Sequence, residues 1–193
     1  ETMRARFSVV VVAVAMGCVS ISALAQVQAQ PASATLVLTN GVVYVKDKAV
    51  VPSTAPLLLP AVALLRTAKG RAAVALKRGG WLLLDAEAGV RVHGNGGYNF
   101  NRLEVRLGSA IVMSETSAPL VDCESEIRLS SAGLFRFDAQ PEVGGERPCQ
   151  LRVYEGAASV PLTTVTNALR AGQSMKCTRR CGDMIPTMEF SPT

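Results

Sequence analysis

The chain has 193 residues, of which 49% are hydrophobic and 18% charged, with a formal net charge of +5. Once an N-terminal leader is set aside, roughly 170 residues remain, a size that suits one domain. The basic residues are scattered along the chain, which argues against a nucleic-acid groove and for a solvated protein surface.

The first 25 residues read as an export signal. Arg4 and Arg6 form a short positive region, residues 7–19 carry no charge, and Ala23-Leu24-Ala25 supplies a small-x-small cleavage pattern before Gln26. Two other readings stand beside cleavage. The apolar run approaches the ~20 residues of a membrane span, so it suits an uncleaved anchor, and Cys18 suits a lipoprotein. In all three the basic residues stay inside and the remainder is exported to the periplasm or cell exterior. Membrane contact is expected only if the segment is retained.

Residues 26–38 read as a flexible lead-in, residues 39–176 as a β domain and residues 177–193 as a cysteine-containing tail. Residues 41–45 form a strand, and Pro52, Pro56 and Pro60 mark an extended edge segment. Residues 62–76 are two short strands, because Thr67-Ala68-Lys69-Gly70 breaks any helix there. Residues 81–84, with Trp81, fit a buried strand. His93 opens a glycine- and asparagine-rich loop that runs to Asn101. In the next strand Arg102, Glu104 and Arg106 point one way and Leu103, Val105 and Leu107 the other; Gly108 ends it, and residues 110–113 form another. Further on, Phe135 and Phe137 share a face, as do Leu151 and Val153. Residues 141–148 are a polar hairpin loop, and Gly156 marks a turn. This period of two, recurring about every ten residues, indicates an all-β domain.

Four cysteines follow the leader: Cys123, Cys149, Cys177 and Cys181. An even count outside the cytoplasm points to disulfides, with three possible connectivities. The favoured pairing is Cys123 with Cys149 and Cys177 with Cys181. The first would close a loop of roughly 25 residues, worth on the order of 3 kcal/mol. A four-thiolate zinc site is the alternative. It usually needs two closely spaced pairs, and only Cys177-x-x-x-Cys181 is close, so no metal or other cofactor is expected.

Several of these pieces, in order, resemble the FecR-like extracytoplasmic domain family. They are residues 65–76 with their G-x-A-x-V-x-L pattern, residues 81–84 followed by Val90-Arg91-Val92, residues 103–112, the strands at 133–139 and 151–160, and residues 169–173. The resemblance implies a solenoid-like or sandwich-like stack of short twisted strands after an N-terminal signal or anchor helix. It also implies a periplasmic setting. In the regulators that name the family, this domain relays a signal from an outer-membrane transporter to a cytoplasmic anti-sigma segment. Only a few residues precede the apolar run here, so the resemblance is to exported, stand-alone relatives rather than to a direct anti-sigma factor.

No catalytic constellation emerges. His93 is the single histidine, lies in a glycine loop and has no carboxylate beside it in sequence. Asp85 and Glu87, and the alternating Asp122, Glu124 and Glu126, read as solvated faces rather than a hydrolytic pair. Gly94-Asn95-Gly96-Gly97 lacks the residues of a phosphate loop. The expected function is therefore non-enzymatic: an interaction or structural module of the cell envelope that binds an envelope protein or its own copies through surface shape and strand edges. A second reading is a cell-wall glycan module using Tyr98 and Phe100 with the basic residues Lys176, Arg179 and Arg180. A third is a periplasmic signalling component.

Overall fold

The computed structural model describes residues 34–50, 56–76, 79–95, 99–115, 120–161, 166–177 and 187–188. They form strands and connections only. No described helix is long and apolar enough to cross a membrane, and the export signal expected at residues 1–25 lies outside the described residues. The first strands are β1 (Ala34–Asn40), β2 (Val43–Val45), β3 (Lys48–Val50), β4 (Leu57–Leu58), β5 (Val62–Thr67), β6 (Arg71–Leu76), β7 (Gly80–Leu84) and β8 (Gly89–Asn95). The long β9 (Asn99–Ser114) precedes β10 (Leu120–Asp122), β11 (Glu126–Leu129), β12 (Gly133–Ala139) and β13 (Cys149–Glu155). The last are β14 (Ala157–Pro161), β15 (Thr166–Arg170), β16 (Gln173–Cys177) and β17 (Thr187–Met188).

Their ladders build two sheets joined through β9. Sheet I runs β4-β1-β6-β7-β9-β12-β13-β16-β17. Sheet II runs β3-β2-β5-β8-β9-β10-β11-β14-β15. Only the β9–β10 ladder is parallel among the described residues. Apart from the outermost β3 and β4, spatial order follows chain order in both sheets, so the architecture is a sandwich wound like a flattened solenoid. Alternation supplies the core. Val74, Leu82, Val112, Phe135, Phe137 and Leu151 from sheet I meet Leu65, Val90, Leu103, Ile127 and Val160 from sheet II in one buried cluster.

The chain passes between sheets at tight corners that touch one another. The Ala68 N–H donates to Val42 O (3.0 Å), the Glu87 N–H to Ala68 O (2.8 Å) and the Asp85 N–H to Ser109 O (3.1 Å). Buried Thr67 ties two corners together: its hydroxyl donates to Asp85 O (2.5 Å) and accepts from the Ala88 N–H (2.9 Å). Ser131 does the same work further on, accepting from the Ala157 N–H at 2.8 Å. The disulfide Cys123–Cys149, with Cα atoms 5.7 Å apart, links the end of β10 in sheet II to the start of β13 in sheet I. It is the favoured first pairing. Cys177 is buried and faces Cys149 across the β13–β16 ladder; Cys181 lies outside the described residues.

Several expectations need correction. Gly108 does not end a strand: β9 continues through it, pairing with β8 in sheet II before Gly108 and with β7 and β12 in sheet I after it. Gly108 has φ +69°, and a Cβ there would lie 2.7 Å from Glu87 O and 2.9 Å from Ala88 Cα. The glycine is the corner itself, where two backbones touch. Leu107 is exposed, because the β8–β9 register shifts between Gly89 and Val90 and turns it outward. The loop expected over 93–101 is largely hairpin, with β8 reaching Asn95 and β9 starting at Asn99. Residues 34–38, expected in the lead-in, belong to β1, where Ala34 and Leu36 enter the core. Asp122 and Glu126 lie opposite one another on β10 and β11, and Glu124 sits in the turn between them at φ +62°. They are therefore not successive positions of one strand.

Gly108→Ala adds a left-handed penalty to a backbone clash, so the expected loss is about 2 kcal/mol or more. Gly144→Ala, in the exposed loop with nothing within 4 Å, should cost about 1 kcal/mol from its backbone conformation alone. Denaturant unfolding of both variants checks the contrast. Breaking Cys123–Cys149 as a Cys→Ala pair should lower the unfolding free energy by about 3–4 kcal/mol for a loop of this length, read from the same curves with and without reductant.

Candidate functional site

The two outer faces differ in kind. On sheet II the outward arginines are engaged in ion pairs, with Glu104 shared between two of them. Glu104 receives Arg106 Nε at 2.7 Å and Arg91 Nη1 at 3.1 Å, with His93 Nε2 at 3.5 Å. Arg102 pairs with Asp122, and Arg128 with Glu126 at 3.3 Å. Burial opposes ionisation of Glu104, but Arg106, Arg91 and His93 outweigh it and hold its carboxyl below its ordinary value of 4.5.

Sheet I presents rows of unequal polarity, because residues opposite each other in a ladder share a face. One row reads Leu58, Thr35, Ala75, Trp81, Met113 and Leu134 across β4, β1, β6, β7, β9 and β12. Leu58 is 66% exposed, Met113 42% and Trp81 37%. The next row is apolar at Ala73, Leu83 and Ile111, then cationic at Arg136 and Arg152. Trp81 is therefore not a core residue. In the run Trp81-Leu82-Leu83-Leu84 both faces are apolar, so alternation is invisible in sequence; the ladder sends Leu82 and Leu84 inward and Trp81 outward.

Beside this row the arginines are fixed in place. Arg136 Nε donates to both Asp138 oxygens (2.9 and 3.0 Å), and its Nη2 donates to Ser109 Oγ at 3.0 Å. Arg152 donates to Asp138 Oδ2 (2.6 Å) and to Gln150 Oε1 (2.9 Å). Ser109 Oγ also donates to Asp138. Burial works against the Arg136 charge, but Asp138 outweighs it and raises the pKa. A hollow of about 270 Å³ adjoins the cluster, with Leu83, Leu84 and Ile111 as its floor and Arg71, Asp85, Ser109 and Arg136 around it. The Ala86 N–H and then Arg71, 2.9 Å away, hold Asp85 below its ordinary value of 3.8.

Of the residues singled out for ligand contact, Lys176 and the backbone of Phe100 lie among the described residues. Lys176 is exposed on β16 opposite Gln150, at the far side of the arginine cluster. Phe100 lies in β9 opposite Gly94. Tyr98, Arg179 and Arg180 lie outside the described residues. Among the described residues no group of three or more His, Cys, Asp or Glu is placed to hold a metal ion. The sequence reading missed Arg136, Asp138 and Arg152, whose outward positions follow from the core partners Phe135, Phe137, Leu151 and Val153.

No family model matches the chain, and no curated protein matches it. Two crystal structures of proposed anti-sigma factors from Parabacteroides distasonis are similar. One aligns with a TM-score of 0.53 at 14% identity, covering 66% of this chain and 60% of that one. The other aligns at 0.49 and 14%, covering 64% and 58%. The chain thus spans about three fifths of the structures it matches, and at this identity the likeness is one of fold.

The Glu104 network gives a pH dependence. A carboxyl whose folded pKa is depressed stabilises the fold fully above its unfolded value and loses that contribution as pH falls through the folded one. The unfolding midpoint should therefore drop on acidification below the ordinary value of 4.5. Glu104→Gln should start lower at neutral pH and show a flatter acid limb in thermal unfolding scans.

Proposed function

We propose that this chain is an exported, non-enzymatic interaction module of the FecR-like kind, which engages a partner protein through the outer face of sheet I. The observation that carries this reading is the row through Leu58, Trp81 and Met113, left in solvent, whereas sheet II exposes Val62 and Leu107 singly at opposite ends of its ladders. Contiguous exposed apolar surface rimmed by polar groups is what interaction sites present. The disulfide between the sheets and the fold likeness to proposed anti-sigma factors support an extracytoplasmic setting and a place in envelope signalling. Strand edges are the weaker surface. Among the described residues three of the four edge strands, β3, β4 and β17, are two or three residues long, and short edges resist strand addition; the fourth, β15, has five residues.

A photo-crosslinking residue in place of Met113 on sheet I, compared with one in place of Arg128 on sheet II, tests the assignment in intact envelopes. Discrete adducts from position 113 and few from position 128 are expected. Monomer alone from both, or the same adducts from both, would count against it.

A further inference from the structure

The outer face of sheet I changes polarity in a fixed direction. Over β6, β7 and β9 it offers Ala73, Leu83 and Ile111; over β12 and β13 the same row offers Arg136 and Arg152. Arg71 and Asp85 neutralise each other on the apolar side. Asp138 instead serves two guanidinium groups at once. The cluster therefore carries one positive charge in excess, and Lys176 adds another beyond it. Both arginines are held by side chains of the sheet, and each commits only two of its nitrogens to those contacts. A guanidinium has five N–H donors, so donors remain for an incoming anion. Arg136 also borders the hollow floored by Leu83 and Ile111.

We propose that this face receives an acidic segment of a partner protein, with a bulky apolar side chain seated over Leu83 and Ile111 and a nearby carboxylate on Arg136 and Arg152. The inference rests on the reading of sheet I as the interaction face and adds the chemistry of the partner. Charge complementarity favours an acidic occupant, and pre-positioned planar forks match a carboxylate in two hydrogen bonds at little ordering cost. Two strand spacings, about 10 Å, separate the β9 and β13 positions. About three extended residues span that distance, so one short segment reaches both. The apolar seat supplies burial, and the arginines set orientation and partner choice.

Trp81, the single tryptophan of the chain, lies on the same face of β7 as Leu83 and reports occupancy. The probe is a tetrapeptide of two phenylalanines followed by two glutamates, acetylated at its N-terminus and amidated at its C-terminus so that the glutamates carry its only carboxylates, titrated into the folded chain. A saturable change in Trp81 emission is expected, weakening as salt rises. Replacing both glutamates by glutamines should weaken binding about tenfold or more, as should Arg152→Gln. Thermal unfolding of Arg152→Gln confirms that the fold survives, and Arg152→Lys, which keeps the charge and loses the fork, should bind between the two. No saturable response, equal binding of the glutamine peptide, or binding indifferent to Arg152→Gln overturns the proposal. So does Arg152-dependent binding to phosphatidylglycerol vesicles without peptide binding, which would assign the face to a membrane surface. Crosslinking through position 113 with no peptide response would remove the acidic partner and leave the interaction face standing.

Discussion

Backbone contact between successive corners is the constraint on which the rest of the structure depends. Within the described residues, corners where the chain leaves one sheet for the other hydrogen-bond to one another, as Glu87 does to Ala68 and Asp85 to Ser109. At Gly108 the contact is close enough that no Cβ fits, and the strand bends there instead of ending. Stacked corners fix the order of strands in both sheets, because a corner can only settle on its neighbour in the chain. Thr67 and Ser131 repeat the device with hydroxyl groups, satisfying backbone N–H groups that a buried corner would otherwise leave without partners.

That order has a chemical consequence. A sandwich with fixed strand order has two fixed outer faces, and this chain spends its surface charge unevenly on them. Sheet II ties Arg91 and Arg106 to one carboxylate, Glu104, and Arg102 to Asp122. The exposed pairs among them add little stability, while the more buried Glu104 holds its neighbours in place. Sheet I keeps Trp81 and Met113 in solvent beside arginines anchored by a single carboxylate. The two faces thus differ in their exposed apolar row and in how their arginines are held.

Much of the fold was legible in sequence. The alternation of Phe135, Arg136, Phe137 and Asp138 states both the strand and its buried side, and the glycine break after Thr67 separates β5 from β6. The even cysteine count after residue 25 also led to the bridge that the structure contains. The candidate site was far less legible, because it is a property of register. Arg136 and Arg152 meet only because β12 pairs with β13 in one alignment, and nothing local announces it. Trp81 was misplaced for a related reason: an unbroken apolar run carries no phase. Gly108 looked terminal because the backbone that requires it, at Glu87 and Ala88, is remote in sequence.

The central claim is that the outer face of sheet I stands open in the isolated domain with its apolar row in solvent. Fluorescence of the single tryptophan tests it most directly. With Trp81 on that face, the native protein should emit at the red end of the protein range, and dissolved acrylamide and iodide should quench it readily. Emission at the blue end with strong protection from both quenchers would place Trp81 in the core and contradict the account.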